Sequence, residues 1–505
     1  MDVWPKSLGP AGTKDQMNRN TVLSGRLSLG LLLLTLHGCG ATRSPGQDSG
    51  PVAEADGTVP DFGGDPDATE GDGADGSTDV AVDPDAASSQ GDSASSVDGA
   101  DVAVADADPG DSGDSGLGAK IYYVAPTGTA SNDGTSFATA LDLATALRRI
   151  AAGETILLQA GTYAIPFQAG VSNTMTLSKA GTADKPLRIF AEPDQIAVVD
   201  FGCPDNTFVD QSVGFMVSGS YWHMKGIAVT RAPYQGVYVT GAHNTFENCA
   251  FHDNRNTGLE INKGGSYTTV INCDAYRNYD PKKLGSMSDG FGSKQTQGPG
   301  NKFINCRSWE NADDGFDCYD SAEIVTFEGC WAFRNGLDVW NYGGFAGNGN
   351  GFKVGGNAKL ANHALTNCVA FENLAKGFDQ NNNAGGITIY NCLSTSNGTN
   401  YGLGNPVNPG QMHVLKNNIA LGAPGNILNA TQANNSWSVG FSASDADFLS
   451  VDLTLAKTAR NPDGTLPRTD LFRLVPGSKL IDAGVDVGLP FSGTAPDLGP
   501  YETAP

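Results

Sequence analysis

Six charged residues recur at short spacings in the middle of this chain, and their types could support metal-assisted acid–base chemistry. They are Asp289, Lys294, Asp313, Asp314, Asp317 and Lys353. Carboxylates brought within about 5–8 Å of one another repel strongly unless some are protonated or a cation lies among them. Hard oxygen ligands in an irregular cluster favour Ca²⁺, which takes about 6–8 oxygens, over Mg²⁺ or a transition metal. The cluster contains no His or Cys that would favour zinc.

An internal repeat indicates that the fold brings these residues together. Cys followed five residues later by Asn occurs six times, and Asn or Gly precedes each Cys. The pairs are Cys249/Asn254, Cys273/Asn278, Cys306/Asn311, Cys330/Asn335, Cys368/Asn373 and Cys392/Asn397. Three steps between successive cysteines span 24 residues, and the steps of 33 and 38 contain Gly-rich insertions. A second column, Gly and then an apolar residue, recurs at Gly258, Gly290, Gly315, Gly351 and Gly377.

This period predicts an all-β fold, a parallel β-helix in which stacked coils bury one another's faces. An exported chain permits disulfides, but the regular spacing indicates that the cysteines form a buried column. We expect the Asn column to hydrogen-bond from coil to coil at a bend, where Asn tolerates the αL conformation. Strands are predicted at Ile121–Val124, Thr155–Leu158 and residues 187–190. The apolar spacing of residues 141–151 predicts a short amphipathic helix that caps the open N-terminal end.

Aligning the coils on the Gly–apolar pair arranges the charged residues in columns with a spacing of about 4.8 Å. Asp289 then stacks on Asp314, while Asp317 lies next to Lys353. Lys294 falls on the face that carries Asp317 and Lys353, because residues two apart share one face of a strand. Asp-Gly at a bend is also ordinary turn chemistry. That alternative explains Asp289 and Asp314 singly, but not the Asp313–Asp314 pair with Asp317 in the next strand.

Lys353 is a lone cation in its column, between Asp317 and Asp379. A structural ion pair is one interpretation, and an exposed pair would contribute little to stability. The alternative is catalytic. A nearby divalent cation disfavours the charged form of a lysine, lowers its pKa from about 10.4 and makes it a candidate general base.

The first 117 residues differ in composition from the rest. Residues 29–36 are apolar but too short to span a bilayer, and they follow Arg19 and Arg26. The sequence then reads L-H-G-C, which predicts an export signal (1–39) with Cys39 as the lipidated residue of a lipobox. A plain secretory signal with a chance Cys is the alternative. Residues 40–117 are rich in Asp, Ala, Gly, Ser and Pro, and we expect a disordered acidic linker.

The charge distribution limits the possible partners. The net charge is −24, and 19 of the 55 acidic residues lie between Asp48 and Asp114, within the linker. No basic patch favours nucleic acid. We expect a monomer that contacts a membrane only through its lipid anchor, with residues 118–505 forming the β-helix domain.

The sequence of residues 470–502 predicts a closing cap with a short strand, in which Asp482 and Asp497 form turns. The protein would be exported, either as a bacterial outer-membrane or cell-surface lipoprotein or as a secreted protein.

The segments S-D-G-F-G-S-K, A-D-D-G-F-D, N-G-F-K-V-G-G and G-F-D-Q-N resemble polysaccharide lyase family 9, the right-handed β-helix pectate lyases. The resemblance covers about residues 121–502, and its specific part is 289–383. It implies that calcium is held by Asp289, Asp313, Asp314 and Asp317 and that Lys353 is the catalytic base. The long acidic linker departs from the family, as do the aromatic residues Trp340, Tyr342 and Phe345 in the insertion before Lys353.

The resemblance implies cleavage of polygalacturonate by β-elimination, with calcium dependence and an alkaline optimum. Calcium on the C6 carboxylate would stabilise the enolate-like intermediate while Lys353 removes the C5 proton. Lys294 is a candidate for neutralising a substrate carboxylate, and an ion pair with the aspartates is its alternative role. Two other functions stay open, a polygalacturonate hydrolase with paired carboxylates and a non-catalytic surface β-helix that binds polysaccharide. A hydrolase would leave Lys353 without a role.

Overall fold

The computed structural model describes residues 120–503, which wind through three parallel sheets. A typical coil contributes one short strand to each sheet, as Thr245–Glu247, Ala250–His252 and Leu259–Ile261 do. Each of these strands pairs in parallel with its equivalent in the next coil. The predicted parallel β-helix is therefore confirmed.

The strands are short, with two to five residues each, because the chain bends from one sheet into the next after each strand. Sheet 1 has twelve strands: Ile121–Val124, Thr155–Leu158, Leu187–Ala191, Trp222–Lys225, Thr245–Glu247, Thr269–Ile271, Asn301–Ile304, Val325–Glu328, Ala364–Thr366, Thr388–Tyr390, His413–Lys416 and Ala430–Ala433. Sheet 2 has ten: Gly161–Ala164, Ala197–Asp200, Ile227–Thr230, Ala250–His252, Asp274–Tyr276, Arg307–Trp309, Trp331–Phe333, Val369–Phe371, Leu393–Thr395 and Ile419–Leu421. Sheet 3 has nine: Met175–Leu177, Phe215–Val217, Val237–Val239, Leu259–Ile261, Phe291–Ser293, Phe316–Asp317, Phe352–Lys353, Lys376–Asp379 and Thr399–Gly402.

The interior is built from columns of identical side chains. The six repeated cysteines are buried, and the eight cysteines in the described range are all free thiols, as the predicted column requires. Sheet 3 contributes a column of stacked rings. In that column the ring centroids of Phe316 and Phe352 lie 4.8 Å apart, and those of Phe352 and Phe378 lie 5.1 Å apart. Each coil buries the next, so burial of apolar surface accumulates along the axis.

The asparagine ladder forms as predicted, but its backbone conformation differs from the expectation. Asn335 donates from Nδ2 to Oδ1 of Asn373 at 2.9 Å, and Asn311 donates in the same way to Asn335 at 3.0 Å. None of the six repeated asparagines has positive φ in the described structure. The residue before each ladder Asn adopts αL instead, as Arg334 does with φ 57°, and so does the residue before each Cys, as Asn305 does with φ 51°. The αL residue makes the bend, and the following Asn is free to point inward.

The capping helix spans Leu143–Arg149 and is shorter than the predicted range 141–151. Leu141 forms an isolated bridge with Val124 and so belongs to the sheet edge. The Asp142 side chain accepts a hydrogen bond from the Thr145 amide and starts the helix. Leu143 and Ala146 are buried in the main core, so the helix covers the first coil as expected. Three 3-10 helices occur at Phe137–Thr139, Asp445–Asp447 and Leu453–Lys457.

The C-terminal segment corrects one prediction. Within the described residues no strand follows Ala430–Ala433, so residues 470–502 contain no strand. The segment instead lies along the outer face of sheet 2, where Phe448 and Phe472 pack in a second apolar core with Phe333 and Phe371. Outward aromatic residues on sheet 2 need such a cover, because a solvated sheet face would carry polar side chains. Asp482 and Asp497 accept backbone hydrogen bonds in turns, as predicted.

The predicted signal, the predicted linker and Cys39 lie outside the described residues, and the boundaries 1–39, 40–117 and 118–505 stay predictions. Across residues 120–503, no helix has the length and apolar character needed to cross a membrane.

Candidate active site

The charged residues meet on the outer face of sheet 3. Three adjacent strands of this sheet, Phe291–Ser293, Phe316–Asp317 and Phe352–Lys353, place a Phe inward and the next residue outward. The register pairs Gly292 with Asp317 and Asp317 with Lys353. The predicted adjacency of Asp317 and Lys353 is therefore confirmed. A Cβ on Gly292 would lie 3.4 Å from Cε of Lys294, so the lysine stem packs over this glycine beside Asp317.

Glycine is required at the bend that leads into these strands. A Cβ on Gly315 would lie 2.6 Å from the Gly351 carbonyl oxygen and 2.8 Å from Nδ2 of the ladder residue Asn335. A Cβ on Gly351 would meet Gly377 and Asn373 in the same way, at 2.6 Å and 2.9 Å. The repeated Gly–apolar pair thus lets successive coils approach closely beside the site, and this approach sets the spacing between the charged residues.

Backbone amides fix the orientation of the three aspartates at the strand starts. Asp289 accepts through Oδ1 from the Asp314 amide at 3.2 Å. Asp313 accepts from the Met287 amide at 2.7 Å and from the Asn348 amide at 2.9 Å. The Asn350 amide donates to Oδ1 of Asp314 at 2.7 Å. These carboxylates are therefore held in place by the chain itself.

Two lysines form ion pairs with the cluster and offset part of its negative charge. Lys294 Nζ lies 3.0 Å from Oδ2 of Asp289 and 3.2 Å from Oδ2 of Asp317. Lys353 Nζ lies 3.4 Å from Oδ2 of Asp314 and 4.0 Å from Oδ1 of Asp317. The side chains of both lysines are only 4% exposed. Lys294 thus forms the ion pair that was its alternative role, and its contact with substrate stays a prediction.

Burial makes the full negative charge of the cluster costly. Burial and, to a smaller extent, the charges of Asp317 and Asp313 raise the pKa of Asp289 to about 7, against the opposing effect of Lys294. Burial also raises the pKa of Asp314 well above its ordinary value, and Lys353 opposes that rise. A site that needs extra positive charge to ionise fully is suited to a cation.

The oxygens also fit a metal geometrically. Asp289, Asp313 and Asp314 each offer one oxygen, and these oxygens lie within 4.8 Å of one another. Oδ2 of Asp314 is buried and accepts no hydrogen bond from the described residues. Asp317 lies outside this trio, although Lys294 joins it to Asp289. Carboxylate oxygens without nitrogen or sulfur donors suit a hard cation. The cluster could therefore bind a metal, and Asp317 stays a predicted ligand.

Sequence reasoning missed the residues that support the cluster. Asn350 stands in the column before Gly, in line with Asp289 and Asp314, and this position could have revealed it. Asn348 lies in the Gly-rich insertion, and Met287 acts only through its amide, so no side-chain pattern indicates them. The insertion contacts the segment that contains Met287. The Ala346 amide, in the insertion, donates a hydrogen bond to the Leu284 carbonyl at 2.8 Å.

Fold and site together define a parallel β-helix with a buried carboxylate–lysine centre on one outer face. A family model described as "Pel9A-like, right handed beta helix region" matches residues 122–420. Pectate lyase L of Dickeya dadantii (strain 3937) is 56% identical over 390 residues, which cover 77% of this chain and 92% of that protein. The crystal structure of pectate lyase Pel9A aligns with a TM-score of 0.75 at 56% identity and covers 76% of this chain and 96% of that one.

A solved rhamnogalacturonan lyase aligns with a TM-score of 0.62 at 28% identity, covering 70% of this chain and 96% of that one. The chain belongs to the Pel9A-like right-handed β-helix family, as the resemblance to polysaccharide lyase family 9 predicted.

Proposed function

We propose that this protein is a calcium-dependent pectate lyase in which Lys353 is the general base and Asp289, Asp313, Asp314 and Asp317 hold the calcium ion. The lyase class follows from family membership and from 56% identity to pectate lyase L over most of the chain. The base and the ion are supported by one observation above the others. A buried lysine, Lys353, lies at the edge of a buried carboxylate group that has an oxygen without a hydrogen-bond donor.

The reaction removes the C5 proton of a uronate and expels the oxygen on C4, so it needs a base and a way to stabilise charge on the C6 carboxylate. When bound, Ca²⁺ supplies positive charge that stabilises the enolate-like intermediate. Lys353 lies on the outer face of sheet 3, and its Nζ accepts the C5 proton of the substrate. Asp317 and Asp314 orient its side chain, since both carboxylates lie within 4.0 Å of Nζ. A lysine accepts a proton only in its neutral form, which favours alkaline conditions.

Lys294 has a supporting role in this mechanism. Its ammonium bridges Asp289 and Asp317 and offsets part of their repulsion when the metal is absent. The substrate is an acidic polysaccharide, and a carboxylate-lined site attracts such a polymer only if cations bridge the two. A binding role for calcium and a catalytic role for calcium therefore coincide at this centre.

The test is near-ultraviolet absorbance during incubation of the full chain with polygalacturonate at alkaline pH. Elimination creates a conjugated double bond, whereas hydrolysis does not. We expect absorbance to rise with added calcium and not with excess chelator. Full activity in chelator would refute the calcium mechanism. Release of sugar without absorbance would favour the hydrolase, and calcium-dependent binding without any product would favour the binding protein. Rhamnogalacturonan belongs in the substrate panel, because one aligned structure is a rhamnogalacturonan lyase.

We also propose that the protein is exported and anchored through Cys39. The support is the order of Arg19, Arg26, the apolar residues 29–36 and the L-H-G-C ending. Incorporation of labelled palmitate into the wild type and not into Cys39→Ser is the expected result. Release of the wild type into the medium without label would favour a plain secretory signal.

A further inference from the structure

A third lysine lies on the same face of sheet 3, one coil beyond Lys353. Lys376 begins the strand Lys376–Asp379, in the column that also holds Asp314 and Asn350. The register pairs Lys353 with Asp379. Asp379 is therefore the neighbour of the proposed base in the next coil, about 4.8 Å away, and Lys376 lies three residues before Asp379 in the same strand.

The ammonium of Lys376 has a defined position. Nζ lies 3.0 Å from Oδ1 of Asp379, a carboxylate whose side chain is 3% exposed. The lysine side chain is 41% exposed, in contrast to the 4% of Lys294 and of Lys353. A buried carboxylate thus holds an ammonium that still faces solvent. An ammonium has three donors, so others remain for a ligand.

Gly402 allows this arrangement. It lies next to Asp379 in the following strand, on the same face. A Cβ on Gly402 would meet Cδ of Lys376 and would lie 3.1 Å from its Cε. The lysine stem therefore crosses the sheet over a residue that has no side chain. A larger residue at this position would push the lysine stem away from its present path.

We infer that Lys376 binds the carboxylate of the uronate unit adjacent to the one whose proton Lys353 removes, and so selects for an unesterified neighbour. This inference rests on the proposed function. A pyranose unit and a coil are of similar length, so neighbouring units of a polymer lying along sheet 3 would stand over neighbouring coils, within reach of a long lysine side chain. A charge-assisted hydrogen bond to an ammonium favours a carboxylate over its methyl ester. Lys376 is thus a specificity-determining residue.

The test compares steady-state kinetics of the full chain on polygalacturonate and on highly methyl-esterified pectin at saturating calcium. The variants are Lys376→Gln, Lys376→Arg and Gly402→Ala. Lys302→Gln is the matched control, since Lys302 is exposed on sheet 1 and the change removes the same charge.

On polygalacturonate, we expect Lys376→Gln to raise KM about fivefold with kcat changed by less than about twofold. Lys376→Arg should recover most of that loss. Gly402→Ala should raise KM in the same direction although it keeps the charge, and Lys302→Gln should behave as the wild type. On methyl-esterified pectin, the difference between wild type and Lys376→Gln should largely disappear.

Two results would overturn the inference while leaving the lyase activity intact. One is a KM for Lys376→Gln equal to that of the control on polygalacturonate. The other is an equal loss on both polymers, which would indicate a purely structural role. If the wild type forms no unsaturated product from either polymer, the proposed function fails and this inference fails with it. If Lys376→Gln folds poorly, the KM values of Lys376→Arg and Gly402→Ala on the two polymers would test the inference instead.

Discussion

Nζ of Lys353 lies 3.4 Å from Oδ2 of Asp314, and that oxygen accepts no hydrogen bond from the described residues. A buried acceptor left without a donor costs about 1–3 kcal/mol. The ammonium offsets this cost by its charge alone. A metal ion that contacts Oδ2 would take over this role and leave Lys353 available to the substrate. Under the proposed mechanism, metal binding would therefore make Lys353 available as the base.

Replacing Lys353 with Ala should remove proton abstraction. A positioned general base contributes about 10²–10⁴ in rate, so we expect kcat for unsaturated product to fall about a thousandfold. The measurement is absorbance at saturating polygalacturonate and calcium. Calcium binding measured by calorimetry serves as the control, because Asp289, Asp313 and Asp314 remain. A variant that keeps a tenth of the wild-type kcat would contradict the assignment.

Asp314→Asn keeps the shape of the side chain and removes its charge. We expect calcium affinity to weaken at least about tenfold in calorimetry without substrate, because the ligand charge count determines affinity. Calcium should also raise the thermal midpoint of the wild type more than that of the variant. Asp184→Asn, at an exposed position, is the matched control. Equal calcium affinity for Asp314→Asn and the control would exclude Asp314 as a ligand.

The buried histidine His363 should make stability depend on pH. Its Nδ1 accepts a hydrogen bond from the Val325 amide at 3.1 Å, and burial lowers its pKa to about 4. The unfolded chain, with a pKa of about 6.5, gains a proton that the folded chain does not gain. The free energy of unfolding should therefore decrease as pH falls from about 6.5 to about 4, by up to about 3 kcal/mol.

The variant His363→Asn isolates this contribution. Asn301 occupies the same column and accepts from the Thr268 amide at 2.9 Å, so Asn can replace the acceptor. We expect a smaller loss of thermal midpoint between pH 6.5 and pH 4 than in the wild type. His243→Asn, at an exposed position, should leave the pH profile as it is. An identical profile for His363→Asn would show that His363 does not control acid stability.

Asn335→Ala should be strongly destabilising, because the Asn335 side chain bonds to both neighbouring coils. It donates to Asn373 at 2.9 Å and accepts from Nδ2 of Asn311 at 3.0 Å. Removing it leaves buried partners unsatisfied, and we expect a cost of about 3 kcal/mol. Thermal unfolding of this variant and of Asn408→Ala, at an exposed position without positive φ, is the measurement. Similar midpoints for the two variants would show that the ladder contributes little.

The sequence predicts the fold well because each coil repeats the same requirements. Regular Cys, Asn and Gly positions specify stacking, and the Gly–apolar pair is enough to pair Asp317 with Lys353. Non-repeating parts could not be predicted in this way. The backbone amide of Met287 carries no side-chain signal, and the packing of Phe472 on sheet 2 depends on a contact between segments distant in the chain. The burial of Lys294 depends on the loops around it.

The C-terminal segment also changes how the solenoid can come apart. Arg460 donates to Asp274 at 2.7 Å and to the Asn305 carbonyl at 3.0 Å, while Phe472 contacts Phe371 with ring centroids 5.9 Å apart. The segment from Arg460 to Phe472 therefore contacts both a middle coil and a later coil of the stack. A repeat protein with contacts only between neighbours can fray from its ends one coil at a time. Here the C-terminal segment must detach before the coils that it joins can separate, so we expect the coils that carry the charged centre to unfold together.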